Sequence, residues 1–130
     1  MSCDYCVLSL PSRLPVNEVA ALYQRLCASD TNGVVASPAI DAFYEEITTK
    51  HPQIDDVPED KLDDHDFSPW SIAFDRSPGH LIMCCVWPKA DYVGALVLEL
   101  AKKHGLVVYD PQSNRAIYPD DGPKPWWKIW

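Results

Sequence analysis

Residues 80–110 of the chain, HLIMCCVWPKADYVGALVLELAKKHGLVVYD, contain the pattern that decides the fold. The first eight residues of this stretch are almost continuously apolar, which is typical of a strand that is buried on both faces of a sheet. The middle repeats apolar side chains three and four residues apart until Gly105, a residue type that commonly ends helices. The apolar run LVVY follows directly. The stretch therefore predicts a central strand, a helix and another strand of the same sheet.

The flanking sequence supplies the remaining elements. Runs of alternating or continuous apolar residues predict strands, and apolar residues at helical spacing predict helices. The pair Ser37-Pro38 marks the start of one helix, because serine caps free N–H groups and proline fits the first helical position. In chain order, these elements are a strand at residues 4–10, a helix at 19–27, a helix at 38–50, a strand at 71–75 and a short strand at 115–118.

The order of these elements predicts an α+β fold. When the helix at 38–50 and the last strand are set aside, the order is β-α-β-β-α-β, the split β-α-β arrangement of ferredoxin-like proteins. Right-handed crossovers then place the first and third strands, which are the most apolar, in the middle of an antiparallel sheet. We therefore expect a ferredoxin-like sheet with helices on one face, an open second face, and an extra helix and an extra edge strand. We expect residues 1–119 to form this single α+β domain and residues 120–130 to form a tail rich in Trp and Pro.

Length and composition limit the class of protein. A chain of 130 residues with 47% apolar residues has the size of one globular domain. It lacks an apolar run of about 18 residues, and no basic residue precedes its short N-terminal apolar run, so we expect neither a membrane span nor a signal peptide. The formal net charge is −8 and the eleven basic residues are scattered, which argues against binding to nucleic acid. The composition predicts a cytoplasmic protein with no membrane and no nucleic-acid partner.

Most of the negative charge lies in residues 54–66, here called the acidic segment. It contains seven carboxylates and one opposing lysine, Lys61, so it carries a formal charge of −6. Such a segment repels itself, stays extended, and attracts cations or a basic protein surface. Trp70 follows shortly after it, and we expect this residue to fix the loop to the body of the domain. A tryptophan beside a dense acidic cluster is also typical of an interface anchor inside a charged rim. The predicted partner-binding residues are Asp55, Asp56, Glu59, Asp60, Asp63, Asp64, Asp66 and Trp70.

Residues that could support catalysis or metal binding are present but poorly arranged. Cys3-x-x-Cys6 together with Cys84-Cys85 could hold zinc or act in redox chemistry. On strands, however, both pairs place their thiols on opposite faces of the sheet, so we expect the cysteines to be reduced core or edge residues. The histidines lack ligand spacing, and the chain has neither a G-x-S-x-G turn nor a glycine-rich phosphate loop. We predict no catalytic residue, no metal and no cofactor.

Several segments carry a resemblance to a known group of proteins. They are SPAIDAF at residues 37–43, SPWS at 68–71, Trp87, and HGLVVYDPQ at 104–112. The chain resembles a family of small, mostly uncharacterised bacterial proteins that share these motifs, and the family is similar to immunity proteins of bacterial polymorphic toxin systems. The resemblance implies a bacterial cytoplasmic domain with no defining catalytic motif.

Three hypotheses about function follow. The first is an immunity protein that neutralises a cognate basic toxin, such as a nuclease domain, by direct binding and occlusion through the acidic segment. The second is a small enzyme or ligand-binding domain with its site on the open sheet face. The third is a homodimer formed through that face or through the tail residues Trp126, Trp127 and Trp130, in which the carboxylates only increase solubility.

Overall fold

The computed structural model describes residues 2–121 and has an α+β fold. Within this range, five strands form one antiparallel sheet, and three α-helices pack on it. The elements are β1 (Ser2–Leu8), α1 (Val16–Cys27), α2 (Pro38–Lys50), β2 (Asp75–Ser77), β3 (His80–Val86), α3 (Ala90–His104), β4 (Val107–Asp110) and β5 (Arg115–Ile117). The predicted tail begins at residue 120, so most of it lies outside the described residues.

The two most apolar strands lie inside the sheet. The strand order is β2-β3-β1-β4-β5, and each neighbouring pair is antiparallel. β1 and β3 pair along their whole length, with Cys3 opposite Cys85 and Val7 opposite Leu81. An interior strand with both faces covered needs apolar side chains on both sides, which explains its continuous apolar sequence. The predicted interior position of the first and third strands is confirmed.

Helices cover both faces of the sheet, and the prediction of one open face is wrong. Residues of β1 and β3 that include Val7 and Leu81 pack against α2 and α3. The alternate residues, including Cys6, Leu8 and Ile82, pack against α1. The second helix in the chain therefore shares a face with α3, and the first helix covers the other face. Helical spacing identifies a buried stripe but not the sheet face that receives it, so the sequence pattern could not assign the faces.

The hairpin between β2 and β3 also differs from the expectation. The strand predicted at residues 71–75 lies at Asp75–Ser77, and only Pro78 and Gly79 form the turn. Gly79 lies close to another segment, since a Cβ atom there would be 2.7 Å from the carbonyl oxygen of Val35. Upstream, Ile72 is 60% exposed, so the alternating pattern at 71–75 did not correspond to a buried strand face.

The helix ends follow the predicted chemistry. The Ser37 hydroxyl accepts a hydrogen bond from the Ala39 N–H at 3.1 Å, and Pro38 is the first residue of α2. Gly105 ends α3 with a φ of 71°, in the left-handed region. These ends position α2 to lead directly into the acidic segment, and α3 to return the chain to β4.

Candidate functional site

The acidic segment lies between α2 and β2 and folds into two short turns. Residues Ile54–Asp56 and Glu59–Lys61 form single 3-10 turns, so the expectation of an extended segment is wrong. Local backbone hydrogen bonds outweigh the charge repulsion, because the side chains of the turns can point outward into water. Six of the seven carboxylate side chains belong to exposed residues, and that of Asp64 is half-buried.

Three hydrogen bonds join the two ends of the segment at its base. The imidazole Nδ1–H of His51 donates to the Phe67 carbonyl oxygen at 3.0 Å. The Ser68 hydroxyl donates to the Pro52 carbonyl oxygen at 2.8 Å, and the Trp70 indole N–H donates to the His51 carbonyl oxygen at 2.9 Å. These bonds close the loop where it meets the core, and they hold the carboxylates on one fixed part of the surface.

Trp70 is a core residue and not a surface anchor. Its side chain is 2% exposed and contacts the Phe74 ring edge-to-face, with 4.7 Å between ring centroids. Its backbone also bridges to Cys85 of β3. The predicted contact between Trp70 and a partner is therefore dropped from the site, because a buried indole offers no surface for binding. The burial of Trp70 agrees with its other expected role, which was to fix the loop to the body of the domain.

Two carboxylates of the segment have partners, and the others do not. Asp66 forms an ion pair with Lys89, and the hydrogen bond from Lys89 lowers the pKa of Asp66. One carboxylate oxygen of Asp64 accepts hydrogen bonds from the backbone N–H groups of Asp66 and Phe67. Among residues 2–121, no ion pair or side-chain hydrogen bond engages the five other carboxylates, Asp55, Asp56, Glu59, Asp60 and Asp63. Within the described residues, the segment therefore presents five carboxylates that have no side-chain partner.

Two exposed aromatic residues adjoin the base of the segment, and neither was among the partner-binding residues predicted from the sequence. Trp87 is 52% exposed and Tyr92 is 51% exposed. The Val86 N–H, one residue before Trp87, donates to the Pro69 carbonyl oxygen at 2.8 Å. Tyr92 Oη lies 2.8 Å from Nε2 of His51. The proline that directly follows Trp87 could have indicated that this residue lies beyond the buried strand, because proline cannot continue a ladder.

A Ser, His and Asp cluster occurs at the β2–β3 hairpin, but its geometry is that of a turn. The Ser77 hydroxyl lies 2.6 Å from Nδ1 of His80, and Nε2 lies 3.5 Å from a carboxylate oxygen of Asp75, without hydrogen-bond geometry. A hydrolytic triad uses the opposite nitrogens, with serine at Nε2 and aspartate at Nδ1. The imidazole is also only 2% exposed, so it cannot contact a substrate. The Ser77 oxygen instead accepts the Gly79 N–H at 3.2 Å and stabilises the turn.

Four of the five cysteines are buried, and Cys27 is exposed. Cys3 and Cys85 lie opposite each other against α2 and α3, whereas Cys6 faces α1. Burial raises the pKa of all three thiols, and that of Cys85 to about 12. In the part of the chain that the structure describes, no group of three His, Cys, Asp or Glu side chains could hold a metal ion.

A small cleft lies between α3 and the outer strands β4 and β5. Its volume is about 10 Å³, which is room for about one water molecule and not for a metabolite. Gly94 lies at this cleft, where there is no room for a side chain, because a Cβ atom there would lie 2.7 Å from the Tyr5 hydroxyl oxygen. The cleft is lined by Tyr5, Gly94, Leu98, Val108, Asp110, Arg115 and Ile117.

The chain has no match in three comparisons, which covered protein-family models, curated proteins and solved structures. The resemblance to immunity proteins therefore stays a prediction. Of the helices that lie within residues 2–121, none has both the length and the apolar character needed to cross a bilayer.

Proposed function

We propose that this protein is an immunity protein of the bacterial cytoplasm, which binds a cognate basic toxin and neutralises it by occlusion. The acidic segment is its docking surface, and the protein has no catalytic activity of its own. One observation carries this proposal: five exposed carboxylates, which have no side-chain partner among residues 2–121, lie on a loop that is closed at its base. The resemblance to immunity proteins supports the same class.

Electrostatics explains why such a surface favours a basic protein. Charges that remain exposed in the free protein lose little hydration before contact, and their combined field accelerates the encounter with a cationic partner. A closed loop keeps these charges together, so less conformational entropy is lost on binding than with a mobile acidic tail. A nuclease domain suits this surface, because an enzyme that binds phosphates carries clustered basic residues.

The other two hypotheses have less support. The enzyme or ligand-binding hypothesis placed its site on the open sheet face, and α1 covers that face. The small cleft beside α3 does not replace it, since its volume of about 10 Å³ excludes a metabolite. The homodimer hypothesis used the same face or the tail, and residues 122–130 of the tail lie outside the described residues.

We also propose that a ferredoxin-like unit underlies the fold. Its members are β1, α2, β2, β3, α3 and β4, with the strand order β2-β3-β1-β4. α2 and α3 then lie on one face of the sheet as this arrangement requires. The additional elements of this unit are β5 and α1, and not the helix at 38–50 that the sequence-based arrangement set aside.

The first test identifies the partner. We expect the coding sequence directly upstream to encode a secreted protein with a basic C-terminal domain. Expression of that domain alone arrests bacterial growth, and co-expression of this protein restores it. A biosynthetic operon in that position, or growth arrest that this protein does not relieve, would contradict the proposed function.

The second test measures the steering role. The variant D55N/D56N/E59Q/D60N removes four exposed carboxylates that have no partners in the described structure. The matched control E18Q/D41N/E45Q/E99Q removes four exposed carboxylates elsewhere. At about 0.02 M salt, we expect the first variant to associate with the toxin domain at least about tenfold more slowly than the control. Equal association rates for the two variants would rule out the acidic segment as the docking surface.

A further inference from the structure

The two exposed aromatic residues beside the acidic segment have a fixed position. Trp87 starts a short 3-10 turn, Trp87–Lys89, that leads into α3, and Tyr92 lies in the first turn of α3. The Tyr92 hydroxyl is held by Nε2 of His51, whose other nitrogen closes the acidic loop. Lys89, between them, forms the ion pair with Asp66. The start of α3 is therefore joined to the base of the loop through Tyr92 and His51, and to the acidic segment through Lys89 and Asp66.

We propose that Trp87 and Tyr92 are the apolar anchors of this docking surface, and that the partner is a protein whose basic surface surrounds an apolar pocket. This inference rests on the proposed function and deepens it, because it names the chemistry of the partner. The acidic segment attracts the partner, and the aromatic side chains hold it.

The exposure of the two side chains supports the anchor role. Large aromatic residues normally bury most of their surface, yet each of these leaves about half of its own in water. Trp and Tyr are the residue types most enriched among those that dominate binding energy. Because Trp87 lies in the turn that leads into α3 and Tyr92 lies in the first turn of α3, the backbone at both residues is already ordered before binding.

The charges around the two aromatic residues favour a basic protein as the binding partner. The exposed carboxylate of Asp91 lies between them in the chain, and Asp66 is already paired with Lys89. A second copy of this protein would bring its own segment, with a charge of −6, towards the same surface and would be repelled. A basic protein gains attraction at the same place, so the complementary charge identifies a heterologous partner.

The test separates attraction from anchoring with two peptide probes of about 18 residues. One is an amphipathic helix of Lys and Leu, and the other has Gln in place of every Leu, so both carry the same charge. We expect the full-length protein to bind the Lys/Leu peptide at least about tenfold more tightly than the Lys/Gln peptide. Trp87→Ala and Tyr92→Ala reduce this preference, and Trp87→Phe keeps most of it. The control Val35→Ala, at a residue 41% exposed, leaves the preference unchanged.

The outcomes distinguish the two proposals. A preference for Lys/Leu that survives Trp87→Ala overturns the anchor role, even if the acidic segment still attracts both peptides. If D55N/D56N/E59Q/D60N binds each peptide as tightly as the wild type does, the docking role of the acidic segment itself is overturned. Concentration-dependent self-association that Trp87→Ala abolishes, measured by sedimentation, would assign the surface to a second copy and overturn the inference.

The toxin domain gives an independent measurement. With it, Trp87→Ala should raise the dissociation rate by at least about tenfold and leave the association rate nearly unchanged. The variant D55N/D56N/E59Q/D60N should instead have a lower association rate and a nearly unchanged dissociation rate. A dissociation rate for Trp87→Ala equal to that of Val35→Ala would contradict the anchor role.

Discussion

Gln112 replaces a neighbouring strand for the N-terminal part of β1. β4 pairs with β1 only from Cys6 to Leu8, so within residues 2–121 no strand lies beside Asp4 on the side opposite β3. The side-chain amide of Gln112 accepts from the Asp4 N–H at 2.8 Å and donates to the Asp4 carbonyl oxygen at 2.8 Å. An amide side chain has the same donor and acceptor groups as a peptide bond, so it can continue the ladder. From the sequence, Gln112 was identified only as the last residue of the HGLVVYDPQ motif.

Replacing Gln112 tests this pairing. Gln112→Ala removes both bonds to Asp4, and we expect it to lower the free energy of unfolding by about 1 kcal/mol. The control Gln24→Ala changes an exposed glutamine of α1, and we expect it to have almost no effect. Urea unfolding measures both values. Equal stabilities of the two variants would show that the bonds to Asp4 contribute nothing.

His80 is a buried titratable residue at the β2–β3 hairpin. Burial lowers the pKa of its imidazole from the usual 6.5, and the carboxylate of Asp75 opposes this effect only in part. In the unfolded chain, the imidazole binds a proton as the pH falls through about 6.5, whereas the folded protein resists protonation until a lower pH. The contribution of His80 to stability is therefore complete above about pH 6.5 and is lost as the pH falls through the lower, folded-state pKa.

The variant His80→Gln should show this dependence. We expect the unfolding free energy of the wild type to fall between about pH 7 and pH 5, and that of His80→Gln to fall less steeply. The slope is the readout, because the substitution can also change stability at neutral pH. A His80→Gln slope identical to that of the wild type would mean that His80 does not titrate on unfolding.

At the scale of elements, the position of α1 changed the expected architecture. Its buried stripe comprises Val19, Leu22, Tyr23 and Leu26, and these side chains pack on the sheet face that the sequence analysis left open. The periodicity correctly predicted this helix and its stripe, because both depend on neighbours within a turn or two. The face that it covers depends on residues 28–37, which carry the chain from α1 to α2, and their sequence has no periodic signal.

Leu26→Ala tests whether α1 is an integral part of the core. Leu26 is 0% exposed, so we expect its truncation to lower the unfolding free energy by about 2–5 kcal/mol. The same change at Leu62, which is 45% exposed in the acidic segment, is the matched control and should cost far less. Both are measured by chemical denaturation. Similar small losses at the two positions would mean that α1 is only loosely attached.

At the scale of the whole molecule, the negative charge is concentrated in one closed loop. The loop carries −6 of a net −8, and the core bonds of His51, Ser68 and Trp70 hold its ends together. Folding therefore brings like charges closer than in the unfolded chain. Salt screens this repulsion over a distance of about 10 Å at 0.1 M, so ionic strength should stabilise the protein.

Thermal unfolding at two salt concentrations tests this effect. Between about 0.02 M and 0.3 M sodium chloride, we expect the Tm of the wild type to rise by a few degrees. The rise should be smaller in D55N/D56N/E59Q/D60N than in E18Q/D41N/E45Q/E99Q, although both variants have the same net charge. An equal rise in the Tm of both variants would mean that the repulsion comes from the net charge of the protein and not from the carboxylates of the loop.

The sequence alone determined the identity of most elements, the interior position of β1 and β3, the caps of α2 and α3, and the location of the charge. These features depend on residues that are close in the chain or on the apolar character of a whole strand. The tertiary structure decided that α1 covers the second face, that Trp70 is buried while Trp87 and Tyr92 are exposed, and that Gln112 pairs with Asp4. The last two residues are 108 positions apart, and no local pattern carries information about contacts over such a distance. Burial is a property of the packed whole, because each side chain competes for core volume with residues from every other element.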